Sequence, residues 1–334
     1  MDSHSKYPQP VVTAAVVQAA PVGFQPKATL VKAIDLAADV ARQGAELVVF
    51  PEAFLSAYPR GMDFDTVVGA RSDKARDLYL EYWNSAIDVP GPISDQLADL
   101  SASLGIHLVM GCIERDAGTL YCTALSLSPD GGLIGKHRKV MPTGSERLIW
   151  GFGDGSDLDV HNTSIGNIGT AICWENYMPL LRMTLYEQNI QIWCAPTADA
   201  RQTWSSSMQH IAVEGRCFVL GANQYATRAD YPAEYESVFG DSPDTVLSEG
   251  GSCIVDPFGT FLAGPARDGE TNLIADLDLR ETIRGKYDFD VAGHYSRGEI
   301  FKLHVETRPV AVDAASQAAE ARLHDGRPHD RQES

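Results

Sequence analysis

Short runs of apolar and small residues, each ending in a proline or a polar side chain, most constrain how this chain can fold. Val11 to Gln18, Glu46 to Phe50, Ile106 to Ile113, Ile165 to Ile172, Ile190 to Ala195 and Cys217 to Asn223 are of this kind. Such runs read as strands covered on both faces, and strands of that type need helices or a second sheet over them. Helical spacing falls between them. Leu30, Ile34, Ala37 and Ala41 share one face within Gln25 to Gln43, and Gly44 suits the end of that helix. Ile93, Leu97, Leu100 and Leu104 repeat the pattern before Gly105. Met178, Leu181 and Leu185 suggest a helix directly after Cys173, and Trp204, Met208, Ile211 and Gly215 mark another.

Hairpins interrupt the alternation. Leu120 to Leu127 turns through Ser128-Pro129-Asp130-Gly131-Gly132 into a strand from Leu133, where proline fixes φ and glycine accepts a positive one. Leu158 to Ile172 forms a second hairpin, and Gly251 to Asp256 with Thr260 to Ala263 a third. Asn272 to Leu277 is the last clear strand. The segment Phe54 to Tyr82 opens as a loop over the strand ends, with a helix over Ala75 to Trp83. Gln224 to Glu249 is a long polar loop, a length that suits a lid or a contact surface. The pattern implies a mixed sheet or a pair of sheets with helices outside. The expected organisation is a loose arm over residues 1–10, one domain over 11–303 and a polar, partly disordered tail over 304–334.

Composition narrows the class of partner. The 334 residues are 44% hydrophobic and 22% charged, as in a soluble globular protein. Lys and Arg number 27 against 45 Asp and Glu, so 27 − 45 = −18, which argues against nucleic acid or an anionic membrane as partner. No signal peptide or membrane-spanning run is evident, and the expected compartment is the cytoplasm. Cys112, Cys122, Cys173, Cys194, Cys217 and Cys253 are scattered without C-x-x-C pairs, which fits reduced thiols.

Three chemically useful side chains stand at strand ends: Glu52, Lys139 and Cys173. A thiolate can attack an electrophilic carbon, a carboxylate can relay protons, and an ammonium can oppose a developing negative charge. Each also has a plainer reading. Glu52 could cap a helix, Lys139 could belong to a solvated basic run, and Cys173 could be a buried apolar residue. A helix N-terminus behind Cys173 would favour thiolate, while burial and carboxylates would oppose it. Spacing alone does not make the three converge.

The motifs around them resemble the nitrilase superfamily, in its true nitrilase branch. The matching stretches are Phe50-Pro51-Glu52-Ala53-Phe54, His137-Arg138-Lys139-Val140-Met141-Pro142-Thr143, Glu146 to Ser156, and Ala171-Ile172-Cys173-Trp174-Glu175-Asn176. Ala195 to Asp199 and Gly293 to Arg297 follow in the same order. The resemblance implies an α/β fold, the four-layer α-β-β-α sandwich of the nitrilase superfamily, which pairs as a homodimer within a larger homo-oligomer or spiral. It implies Glu52 as general base, Lys139 as stabiliser of the tetrahedral intermediate, Cys173 as nucleophile and Glu146 as a further glutamate that positions substrate and water. No metal and no organic cofactor are implied. The implied substrate is a small nitrile, converted by water to acid and ammonia through a cysteine thioimidate and thioester.

Trp174-Glu175 resembles nitrilases more than the amidase and carbamoylase branches, which remain the alternative, as does a cyanide- or β-cyanoalanine-specific enzyme. A catalytically silent scaffold is a third possibility that intact Glu52, Lys139 and Cys173 disfavour. Tyr58, Trp174 and Glu175 are expected to line the substrate pocket, and an aromatic wall suits an arylaliphatic or aromatic nitrile. Tyr225 to Glu249 and Asp290 to Leu303, with His294, are expected at subunit contacts. Phe152 and Gly298 depart from the usual pattern, and the expected effect is on loop shape.

Overall fold

The computed structural model describes residues 10–307. All of the expected arm but Pro10, and most of the expected tail, therefore lie outside the described residues. The strands are β1 (Val11–Gln18), β2 (Leu47–Val49), β3 (His107–Asp116), β4 (Thr119–Ser128), β5 (Gly132–Arg138), β6 (Val160–Thr163), β7 (Gly166–Thr170), β8 (Ile192–Thr197), β9 (Phe218–Asn223), β10 (Tyr225–Thr227), β11 (Val246–Glu249), β12 (Ser252–Val255), β13 (Phe261–Ala266) and β14 (Thr271–Asp278). The helices are α1 (Pro26–Arg42), α2 (Asp73–Ser85), α3 (Pro92–Leu104), α4 (Pro179–Glu187), α5 (Gln202–Gly215) and α6 (Arg280–Asp288).

All the described strands except β10 and β11 form two six-stranded sheets, in the orders β14-β1-β2-β3-β4-β5 and β13-β12-β9-β8-β7-β6. β1, β2 and β3 run parallel in the first, and β7, β8 and β9 in the second. The period-two alternation of β1 explains its apolar run. Val12, Ala14 and Val16 face the second sheet and meet Ile192, Phe218, Leu220 and Ile254, while Ala15 and Val17 face Leu30, Ala33 and Ala37 of α1. Leu181 and Leu185 of α4 and Trp204, Met208 and Ile211 of α5 cover the second sheet's outer face through Trp193 and Val219. The result is a sandwich of helices, sheet, sheet and helices. Each fully buried Leu or Ile in it stabilises the fold by about 1.5–3 kcal/mol.

Three expectations need correction. The helix after Cys173 does not begin at the cysteine: a five-residue 3-10 turn, Cys173–Tyr177, comes first, and α4 starts at Pro179. Pro179 is why, since its fixed φ and missing N–H suit the first turn of a helix and not its interior. A strand-helix-strand order read around Glu52 and repeated around Cys173 would place the two alike, but the two halves are offset. Glu52 follows β2, the middle of its parallel trio, whereas Cys173 follows β7, at the edge of the other. Finally, the loop over Gln224 to Glu249 begins and ends in a two-stranded ribbon, β10 with β11. α6 was not legible: its residues are mostly polar, and only Thr282 and Gly285 are buried.

Candidate active site

Each chemically useful side chain is fixed through its backbone. After β2 the chain keeps bonding to β3: the Phe50 N–H donates to Val109 O at 2.8 Å and the Leu55 N–H to Gly111 O at 3.0 Å. This close approach requires a glycine. A Cβ on Gly111 would collide with the Pro51 carbonyl oxygen and lie 2.8 Å from the Glu52 Cα. The Gln224 amide also donates to Glu52 O at 2.8 Å. Lys139 directly follows β5, with its N–H on Cys122 O and its carbonyl on the Gly153 N–H, both at 2.8 Å. Cys173 sits at φ 50°, a left-handed conformation that costs a residue with a side chain about 1–2 kcal/mol. The Asn176 amide holds it there by donating to the carbonyls of Cys173 and Ala171, each at 2.8 Å.

The fold brings all four expected chemical groups together. The Lys139 ammonium donates to Glu52 Oε1 at 2.7 Å and to Glu146 Oε2 at 2.8 Å. Glu146 Oε2 also accepts from the Thr143 N–H at 2.6 Å, and Glu146 Oε1 accepts from the Tyr58 hydroxyl at 2.6 Å. Thr197 donates its hydroxyl to Cys173 Sγ at 3.2 Å. Glu52 and Lys139 are each 1% exposed and Cys173 is 4% exposed, so their charges are poorly screened. Glu52 Oε2 has no hydrogen-bond partner among the described residues. An ammonium has three donors, and two on Lys139 are taken, which leaves one for a reacting atom.

Burial dominates the proton affinities. It pushes the Cys173 thiol up to about 12, helped by Glu52 and opposed by Lys139. A short 3-10 turn behind Cys173 does not offset this, so the resting group is a thiol and not the thiolate that a helix end would favour. Burial also raises the Glu52 carboxyl above its ordinary range; Lys139 pulls it down and Glu146 pushes it further up. For Lys139 burial acts downward, but Glu52, Cys173 and Glu146 outweigh it and hold the ammonium well above its ordinary value. Lys139 is thus the fixed charge, and Glu52 is poised to take a proton.

Cys173 opens into a cavity of about 440 Å³ lined by Tyr58, Arg60, Glu146, Trp174, Phe239 and Leu247, among others. Tyr58 and Trp174 both lie on its wall. Trp174 is held there by its indole N–H on Asp199 Oδ2 at 2.8 Å and by the Arg201 guanidinium, 4.8 Å over its ring. Glu175 does not line the cavity. It is 1% exposed and accepts from the Ile172 N–H at 2.7 Å, the Val140 N–H at 2.6 Å and His137 Nε2 at 2.9 Å. In a 3-10 turn successive residues point about 120° apart, so Trp174 faces out and Glu175 in. Thr197, Asp199, Asn176, Gln224 and Arg60 were missed as site residues. The signal for the first two was their place at the end of β8 in Ala195-Pro196-Thr197-Ala198-Asp199.

Among the described residues no group of three or more His, Cys, Asp or Glu side chains is arranged to hold a metal ion. All six cysteines are free and buried. No helix among the described residues is long and apolar enough to cross a membrane. Phe152 is exposed on its loop, and a side chain at Gly298 would meet open space. His294 is exposed and its ring bonds to Lys286 O.

Comparison with known proteins gives consistent matches. The carbon-nitrogen hydrolase family profile matches residues 13–287. The chain is 54% identical over 312 residues to a Bradyrhizobium diazoefficiens protein named nitrilase blr3397, covering 92% of this chain and 96% of that one. It is 53% identical to an aliphatic nitrilase of Sinorhizobium fredii, over 89% and 96% of the two chains. It is 52% identical to the bifunctional nitrilase/nitrile hydratase NIT4A of Lupinus angustifolius, over 95% and 93%. Among solved structures, the carbon-nitrogen hydrolase from Helicobacter pylori superposes with a TM-score of 0.68 at 20% identity, over 87% and 97% of the two chains. Nit3 of Saccharomyces cerevisiae, from branch 10 of the nitrilase superfamily, gives 0.68 at 23%, over 88% and 99%. At those identities the likeness is one of fold.

Proposed function

The chain belongs to the carbon-nitrogen hydrolase family and to the true nitrilase branch of the nitrilase superfamily, and from that premise we propose that it hydrolyses an organic nitrile to the carboxylic acid and ammonia at Cys173. The observation that carries this reading is the buried Glu52–Lys139–Glu146 cluster beside a thiol that opens into a cavity. The relatives named as nitrilases support nitrile as the substrate.

The groups divide the work. Glu52 accepts the thiol proton as Sγ adds to the nitrile carbon, and the nitrile nitrogen is protonated to give a thioimidate. Water, deprotonated by Glu52, adds to that carbon. Proton return to nitrogen expels ammonia and leaves a thioester on Cys173. A second water, activated in the same way, releases the carboxylic acid and restores the thiol, so one nitrile consumes two waters. The remaining donor of Lys139 opposes the negative charge that builds in each tetrahedral step. Glu146, held by Tyr58 and Thr143, orients the ammonium and the incoming water. Tyr58, Trp174 and Phe239 on the cavity wall favour an arylaliphatic or aromatic side chain.

Expulsion of the thiol in place of ammonia would release amide. The bifunctional name of the Lupinus relative supports such a by-product. We further propose a homodimer within a larger assembly. Exposed Val238, Phe239, Tyr295, Ile300 and Phe301, in the segments expected at subunit contacts, support it.

Purified protein should be given phenylacetonitrile, mandelonitrile, benzonitrile, an aliphatic dinitrile, β-cyanoalanine, cyanide and the matching amides, with acid, amide and ammonia quantified. Acid and ammonia in equal amounts from an aryl nitrile, with little action on its amide, is the expected result. Turnover of amides alone would move the protein to the amidase branch, and preference for the dinitrile would replace the aromatic reading with an aliphatic one.

A further inference from the structure

The Glu175 carboxylate touches the chain beside both of the groups that flank the reacting carbon. Its Oε1 accepts from the N–H of Val140, the residue after Lys139, at 2.6 Å. Its Oε2 accepts from the N–H of Ile172, the residue before Cys173, at 2.7 Å, and from His137 Nε2 at 2.9 Å. His137 in turn bonds through Nδ1 to Asp157 Oδ1 at 2.9 Å, and Asp157 Oδ2 accepts from the Arg138 N–H at 2.8 Å. The backbone from His137 to Val140 is therefore held from two sides.

The arrangement matters because β5 and β7 belong to different sheets, and no strand ladder joins them. Packing between the sheets is largely apolar and non-directional, so it sets their spacing loosely, and the polar ties made by Gln18 and Gln224 hold β1 and the Glu52 turn rather than β5. Charge-assisted hydrogen bonds to two backbone N–H groups set it tightly. We infer that Glu175 is a positioning residue: with His137 as its counter-cation, it fixes the separation between the Lys139 ammonium and the Cys173 thiol. The inference rests on reading Cys173 as nucleophile and Lys139 as its electrostatic partner.

Glutamine is the informative replacement. An amide has one acceptor oxygen, so Glu175→Gln sets an NH₂ against either the Val140 or the Ile172 N–H and releases one of the two anchors. It also leaves His137 with one carboxylate. A second variant, His137→Gln with Glu175→Gln, removes the buried charges together and separates anchoring from charge balance. Melting temperature, kcat and KM on phenylacetonitrile, and the rate of iodoacetamide alkylation at Cys173 mapped by peptide mass would be measured for both. Alkylation needs no nitrile, so it reports on the Lys139–thiol separation even if the nitrilase reading fails; absence of nitrile turnover by the unmodified protein would sink that reading alone.

The expected result for Glu175→Gln is a kcat about 100-fold lower with KM within about threefold, as an ångström of misplacement gives. Alkylation at pH 8 slows by about tenfold as the ammonium moves from the sulfur. The double variant regains thermal stability but neither rate. Wild-type rates in Glu175→Gln, or recovery of both rates with stability in the double variant, would overturn the inference. If Glu175→Gln does not fold, the double variant decides. A double variant that also fails to fold counts against the inference, because the pair then serves folding alone.

Discussion

At the scale of single residues, proton affinity sets the behaviour. In the proposed mechanism Glu52 must be ionised to accept the thiol proton, and burial lifts its pKa above the ordinary 4.5. The value of kcat/KM on a nitrile, which does not titrate, should therefore fall as pH drops through a point above 4.5. No alkaline limb from the thiol is expected near pH 9, because Cys173 is pushed up to about 12. The alkaline limit belongs to His137. Burial opposes its charge, but Glu175 and Asp157 outweigh burial and raise it from 6.5 to about 10. Its folded pKa is raised, so its contribution to stability is complete below 6.5 and lost as pH rises through about 10. Burial would raise Glu175, yet His137 and the two backbone N–H groups lower it; its contribution holds above the ordinary 4.5 and is lost as pH falls through a lower value. A melting-temperature profile against pH should show a plateau between those limits. An activity loss centred near pH 8 to 9 would contradict the assignment of a neutral thiol.

At the scale of elements, the site depends on how closely the segment after β2 lies on β3. Gly111→Ala adds one methyl group where the Pro51 carbonyl already stands. It should cut kcat/KM by tenfold or more while the far-ultraviolet circular dichroism stays that of the wild type, because the turn bearing Glu52 must shift. An unchanged rate would show that the turn has more slack than its geometry allows. The same elements show what the sequence made legible. Glu52, Lys139 and Cys173 could be found because each lies within three residues after a strand, where the sequence changes abruptly from apolar to polar. Glu146 could not be found that way. It lies in a 3-10 turn, and its bonds to Lys139 and Tyr58 join residues 7 and 88 positions apart. Only the resemblance pointed to it. The inward turn of Glu175 was hidden for a related reason: period-two or period-3.6 reading does not resolve a five-residue 3-10 turn, so Trp174 and Glu175 were assigned together to the pocket. α6 had no apolar stripe to reveal it.

At the scale of the whole molecule, two sheets share one apolar layer, and the groups proposed to react come from both. Glu52, Lys139 and Glu146 follow strands of the first sheet, and Cys173 and Thr197 belong to strand ends of the second. The sandwich is thus a means of bringing two independent strand edges into register. Apolar side chains left exposed on the described surface, such as Phe239 and Phe301, lead to the expectation of an assembly. Light scattering on eluting protein should give a mass at least twice that of the chain, and a monomer across the accessible concentration range would remove that proposal. The central claim, that Cys173 carries the acyl group of a nitrile, has a direct test. Protein mixed with phenylacetonitrile would be quenched in acid within a turnover, and its intact mass and peptides measured. An adduct of the phenylacetyl group on the Cys173 peptide, absent from Cys173→Ala together with ammonia release, is the predicted result; turnover that persists in Cys173→Ala would contradict it.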